Sequence, residues 1–202
     1  MLDYKRLYRS LDDIGRLQLL KGSAVRENGN FGNFFKKINT PKTIVEIGTY
    51  RGITAAVLAS MADKVYTFDA VYQPATQIVW QLFNVSKKID YRIVGIYKKD
   101  IPLIEVTKAI RNEINIFTII NDMINQVETD KQIAKELENI KFDFAYIDAR
   151  HYYDSAKRDF KLVKKCGRVM FDDCGPTYPG MQKFIKEING KFIGEFGYWE
   201  AR

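Results

Sequence analysis

The chain has 202 residues, 46% hydrophobic and 13% aromatic, a composition that suits one globular α/β domain with a full core and argues against disorder. Its net charge of +7 arises from 32 basic residues interleaved with 25 acidic ones, so no dense Lys/Arg block marks a nucleic-acid partner, and a small anionic substrate suits the charge better than RNA. No apolar run approaches the roughly 20 residues that span a bilayer, the N-terminus lacks a signal-peptide core, and Cys166 and Cys174 have neither disulfide-framework nor zinc spacing. The expectation is a soluble cytoplasmic protein with no membrane partner, with a homodimer left open.

Residues 1–40 read as a helical leader. Ser10 and Asp13 suit a capping box ahead of a helix from Leu11 to about Lys21. Phe31, Phe34, Phe35 and Ile38 then recur at i, i+3, i+4, i+7, one face of a second helix. The leader either covers one end of the sheet or closes as a lid over a ligand. Residues 41–202 form the main domain.

Ile44, Val45 and Ile47 make a strand buried on both faces, interrupted by Glu46. Gly48-Thr49-Tyr50-Arg51-Gly52 follows as a tight turn, and a helix runs from Ile53 through Ala59. Strand, glycine turn and helix N-terminus form a ligand cradle: the glycines admit close backbone approach and the first helical N–H groups are free. The spacing Glu-x-Gly-x-x-x-Gly is not the Gly-x-Gly-x-x-Gly of a dinucleotide site. A plain βα turn of another doubly wound protein remains open at this point.

Lys64–Phe68 is the second strand, and Asp69 at its end suits the two hydroxyls of a ribose, since one carboxylate accepts both. A helix spans about 76–88. Two segments compete for the third strand: Arg92–Tyr97, and Ile116–Ile120 followed by Asn121-Asp122. The second is favoured, which makes about 90–112 an insertion near the substrate. A polar helix lies near Asp130–Asn139. Phe142–Ile147 is the fourth strand, ending in Asp148. Tyr153–Lys165 is helical, Arg168–Phe171 is the fifth strand, and Asp172 and Asp173 close it. A helix over Met181–Ile188 and one last strand over Lys191–Trp199 complete the chain.

Adjacent parallel strands lie about 4.8 Å apart, so Asp148, Asp172 and Asp173 can converge. Their mutual repulsion and oxygen-only donors point to Mg2+, with Mn2+ or Ca2+ as substitutes; the alternative is that they cap helices or bind loop amides.

The stretch Thr43–Ala59 resembles the first motif of class I S-adenosylmethionine-dependent methyltransferases. Tyr146-Ile147-Asp148-Ala149-Arg150-His151-Tyr152-Tyr153-Asp154, then Asp159-Phe160, is similar to the Ile-Asp-Gly-x-His-x-Tyr-Glu, Asp-Leu run of its magnesium-dependent sugar and antibiotic O-methyltransferases, the group related to macrocin O-methyltransferase and cephalosporin hydroxylase. Lys165–Asp173 and Pro179-Gly180-Met181-x-Lys183-Phe184 resemble the segments that follow there. The match covers about residues 43–69 and 142–188.

The resemblance implies a Rossmann-like, doubly wound, mostly parallel sheet with a helical N-terminal extension, and methyl transfer from S-adenosylmethionine to a hydroxyl of a small molecule or sugar. It places Glu46, Gly48, Thr49, Tyr50, Gly52, Asp69, Asp122 and Asp148 at the cofactor. It gives the metal to Asp148, Asp172 and Asp173, and catalysis to Asp148 and His151, the chain's single histidine and the candidate base. Against that base stands an orienting role for His151 in its loop. Ala149 replaces the group's usual glycine. Arg150 stands where some relatives carry a carboxylate, and it suits an anionic substrate group. The alternatives are a metal-independent methyltransferase acting on nucleic acid or protein, or a non-catalytic cofactor binder.

Overall fold

Residues along the central strand divide alternately between two cores, as the period of two in a strand requires. In β1 (Thr43–Ile47), Ile44 packs with the helix α1 (Ile53–Met61), while Val45 and Ile47 belong to the opposite apolar cluster. The structure, a computed structural model, describes residues 35, 38–73, 75–96 and 124–201. After α1 come β2 (Lys64–Asp69), α2 (Ala75–Leu82), a short 3-10 turn and β3 (Ile89–Ile93). Then follow α3 (Gln126–Glu138), β4 (Phe144–Ile147), α4 (Tyr153–Val163), β5 (Arg168–Phe171), α5 (Pro179–Glu187), β6 (Lys191–Ile193) and β7 (Phe196–Glu200).

The seven strands form one sheet in the order β3-β2-β1-β4-β5-β7-β6, parallel except for β7, which runs against both β5 and β6. Val79 and Trp80 of α2 join α1 in packing on one face. Ile133 and Leu137 of α3, Phe160 and Val163 of α4, and Phe184 and Ile185 of α5 cover the other. With both faces buried this is the doubly wound architecture expected. The strand order reverses between β1 and β4, where such sheets leave a crevice beyond their carboxyl ends. Among the described residues no helix is long and apolar enough to cross a membrane.

Two expectations need correction. The strand beside β2 is Ile89–Ile93, which overlaps the segment passed over, and not Ile116–Ile120. Residues 116–121, with Asp122, lie outside the described residues, as does the leader apart from Phe35 and residues 38–40. The single strand expected over Lys191–Trp199 is a hairpin, because the chain reverses at Gly194 (φ +64) and Glu195.

The pole opposite the crevice is held by one arginine. Arg168, at the start of β5, donates to the Asp143 carbonyl (3.1 Å), to Asp143 Oδ2 (3.0 Å) and to the Asn39 carbonyl (2.9 Å). The Asp143 carboxylate also accepts the amide of Thr43 at 2.9 Å, so β1, β4 and β5 are tied at their amino ends. Arg168→Ala is expected to lower unfolding stability by about 1–3 kcal/mol, the range for hydrogen bonds to charged groups. Chemical denaturation measures it, and ligand affinity at the far pole should not change.

Candidate functional site

Register puts the site's residues in a row. Ile47 pairs with Phe68 on one side and Ile147 on the other, and Ile147 pairs with Phe171. The next residues along the four strands are therefore Asp69, Gly48, Asp148 and Asp172, side by side at the carboxyl edge. Backbone bonds continue past the strands to hold them there: Gly48 N to Phe68 O (2.9 Å), Asp148 N to Ile47 O (2.8 Å) and Asp172 N to Ile147 O (3.0 Å). Three of the four carry carboxylates and the fourth carries no side chain. The gap between Asp69 and Asp148 is thus open at Gly48.

The glycine there is required twice over. Its φ is +98°, and a Cβ would lie 2.2 Å from the Asp148 carbonyl oxygen. Gly52 (φ +75°) opens α1 with no side-chain cap, and its carbonyl accepts the indole N–H of Trp80 at 2.8 Å. Between them Tyr50 also takes a left-handed conformation (φ +46°), fixed by its amide donating to Asp69 Oδ2 at 2.7 Å. Asp69 Oδ1 accepts the amide of Val71 at 3.1 Å. Burial raises the Asp69 carboxyl above its usual range, and the amides of Tyr50 and Val71 oppose that shift.

A cleft opens beside this row, lined by Gly48, Tyr50, Asp69 and Asp148 of the expected cofactor set. Glu46, Thr49 and Gly52 do not line it. Thr67 donates to Glu46 and shares a 2.6 Å contact with the Thr49 hydroxyl, a buried polar chain beneath the turn. Burial pushes the Glu46 carboxyl well above the usual range, and its Oε1 has no hydrogen-bond partner among the described residues. Asp122 lies outside the described residues.

On the other side of Asp148 the acids meet His151. Nε2 of its ring lies 3.3 Å from Asp148 Oδ1 and Nδ1 lies 3.2 Å from Asp173 Oδ2, with the edge of Tyr178 against the ring at 5.2 Å between centroids. Asp173 reaches this position from a left-handed backbone (φ +51°). Burial, with the charges of Asp148 and Asp173, pushes the Asp172 carboxyl up to about 9. Three carboxyl groups and one imidazole therefore converge. Among the described residues, no three Asp, Glu, His or Cys side chains are already set as the ligands of a metal ion.

Sequence reasoning missed the second half of the cleft. Val71 and Val94, from the ends of β2 and β3, line it together with Ile124, Thr129 and Ile133 of the α3 region and Asp159 of α4. It also missed a brace: the Tyr91 hydroxyl donates to the Val71 carbonyl (3.0 Å) and accepts the Gln73 amide (3.1 Å), while its ring meets Trp80 edge-on. Asp159 had a readable signal. It falls on the helix face of Ala156, Phe160 and Val163, where an acid breaks an otherwise apolar stripe.

Comparison with known proteins agrees with this fold. A family model described as a methyltransferase domain matches residues 45–174. Similar solved structures include an O-methyltransferase from Bacillus cereus in complex with SAH (17% identity, TM-score 0.60, covering 100% of this chain and 92% of that one). Another is the O-methyltransferase TomG from Streptomyces achromogenes, in complex with SAM (12%, 0.55, 100% and 92%). An rRNA methylase from Streptococcus thermophilus is also similar (10%, 0.52, 85% and 95%). At these identities the likeness speaks for the fold. A curated sequence relative, DNA-directed RNA polymerase subunit beta'' of Plasmodium falciparum, is 26% identical over 145 residues, 64% of this chain. The chain spans 15% of that relative's length, and the similarity assigns no family.

Proposed function

The chain belongs to the methyltransferase family matched over residues 45–174, and from that premise we propose that it is an S-adenosylmethionine-dependent O-methyltransferase acting on a hydroxyl of a small molecule or sugar. One observation carries the reading. The ribose-suited Asp69, the open position at Gly48 and the acid–histidine cluster around Asp148 stand in a single row at the switch point of the sheet. A nucleoside seated between Asp69 and Asp148 would present its reactive end to His151.

Bound S-adenosylmethionine supplies an electrophilic methyl group. Asp69 would accept the ribose hydroxyls. Gly48 admits the ligand chain against backbone, and Asp148 lies on the side toward the acceptor. His151 would take the acceptor's hydroxyl proton, leaving that oxygen as the nucleophile toward the methyl group the cofactor would supply. Both ring nitrogens of His151 face carboxylates, so one of these contacts has to open before a ring nitrogen can reach that proton.

Mg2+ is the finer part of the reading. The donor set suits it, since Asp148, Asp172 and Asp173 offer only oxygens and crowd more negative charge than a buried pocket tolerates. These three would hold the ion, whose chemistry is to lower the pKa of a bound hydroxyl. A second reading, transfer without metal, is favoured by the His151 ring lying between Asp148 and Asp173, where it already links two of the three carboxylates. Turnover measured across a magnesium titration and in chelator separates the two: full activity in chelator selects the metal-free reading.

The cofactor reading is tested by calorimetry with S-adenosylhomocysteine, and absence of binding at millimolar ligand removes it. Asp69→Ala is expected to weaken that binding by about 1–3 kcal/mol, the cost of lost charge-assisted hydrogen bonds. Unchanged affinity would refute the ribose role.

A further inference from the structure

The loop that carries His151 runs directly into α4, and the loop that carries Asp173 and Tyr178 runs directly into α5. His151 joins the two loops, since its ring meets Asp148 from one side and Asp173 and Tyr178 from the other loop. The spacing of the loops is therefore set by how the two helices begin. They begin in close contact: a Cβ on Gly180 would lie 2.9 Å from the amide nitrogen of Tyr153, so glycine is what lets α5 approach so near.

Tyr153, two residues after His151, closes that contact. Its ring stands edge-on to Phe184 of α5, with 6.0 Å between centroids, and receives the ammonium groups of Lys157 at 5.3 Å and Lys183 at 4.7 Å. Its hydroxyl donates to Glu187 Oε2 and accepts from Lys157 at 3.1 Å, while Lys157 donates to Glu187 Oε1 at 2.7 Å. Each of the three groups holds the other two, and the triangle spans both helices.

Stability does not need this clasp. Lys157 and Glu187 are 38% and 41% exposed, and ion pairs this exposed are screened and weak. The packing of α4 and α5 is supplied beneath it by Phe160, Phe171 and Phe184, whose rings meet one another. What the clasp fixes is geometry, and a misplacement of about 1 Å at a reacting group can cost on the order of 100-fold in rate.

On the premise that His151 takes the acceptor's proton, we propose that Tyr153 is a positioning residue. Through its bonds to Glu187 and Lys157 it locks the two loops at the spacing that keeps the His151 ring between Asp148 and Asp173.

The chain has a single histidine, so imidazole signals in a nitrogen-correlated NMR spectrum report this one ring. Spectra of the wild type, Tyr153→Phe, Glu187→Gln and the double variant are compared at one pH, together with calorimetric affinity for S-adenosylhomocysteine. Each single variant should shift the His151 signals. The double variant should shift them no further than the larger single change, as groups acting in one network do. Ligand affinity and the denaturation midpoint should stay at their wild-type values. Tyr153→Phe keeps the ring against Phe184, and Glu187 is exposed, so neither change opens the core. His151 signals that move in neither variant overturn the positioning role and leave the base reading to the His151→Ala comparison. Shifts accompanied by lost ligand affinity also overturn it, because the clasp would then shape the whole cleft. Failure of the wild type to bind the ligand overturns the cofactor reading, while the ring signals still decide whether Tyr153 positions His151.

Discussion

His151→Ala is expected to lower turnover by about 10²- to 10⁴-fold, the usual contribution of a positioned general base. The expectation follows from the proposed role of His151, which stands beside Asp148 and Asp173. Its ring is buried to about three-quarters, at 23% side-chain exposure, between Asp148 and Asp173. Those carboxylates fix the ring's orientation. The readout that separates a base from a loop anchor is the pair of single-turnover rate and S-adenosylhomocysteine affinity. A base moves the first and spares the second. An unchanged rate leaves His151 as an orienting residue, and a lost affinity makes it part of the cleft's scaffold.

Gly48→Ala should cost about 2–5 kcal/mol of stability, adding a left-handed backbone penalty to the strain of overpacking. It should also abolish measurable binding of S-adenosylhomocysteine. The two effects share a cause: the added methyl would lie 2.2 Å from the Asp148 carbonyl oxygen and 2.5 Å from its carbon. Since both atoms are backbone, relief requires β1 and β4 to part at the switch point, which moves Asp148 relative to Asp69. Gly167→Ala is the matched control. Its φ is +80°, yet the nearest atom to a new Cβ is 3.9 Å away. That variant should carry only the backbone penalty, about 1–2 kcal/mol, with ligand affinity unchanged. Denaturant melts and calorimetry on the two proteins give the comparison; equal binding by both would show that the contact at Gly48 is not what shapes the cleft.

Sequence pattern was most informative where burial is complete. β1, β2, β4 and β5 have apolar cores, and the acids at the ends of β2, β4 and β5 stand out against those runs. Arg168–Phe171 was read with its observed limits. β3 was misread for the opposite reason. Its sequence, Ile-Asp-Tyr-Arg-Ile, is buried only at Ile89, and Ile93 is exposed, because among the described strands it forms the sheet's edge. An edge strand has less apolar surface to hide and so carries a weaker pattern, and the more apolar Ile116–Ile120 drew the assignment away. The terminal hairpin was hidden by a turn of only two residues, Gly194 and Glu195. In the site, residues that use side chains at strand ends were legible. Those that act through distant packing were not: Tyr91 and Trp80 support the cleft from behind, and no local spacing links them to it.

The bond from the Trp80 indole to the Gly52 carbonyl has a spectroscopic consequence. The chain has two tryptophans. Trp80 is hydrogen-bonded to the carbonyl from which α1 starts, whereas Trp199 meets the ring of Phe160, the neighbour of Asp159, edge-on at 4.9 Å. One indole is therefore coupled to the glycine turn and the other to the far wall of the cleft. Emission recorded from Trp80→Phe and Trp199→Phe proteins would time the two contacts separately, distinguishing a ligand that docks through its sugar first from one that docks through its ring.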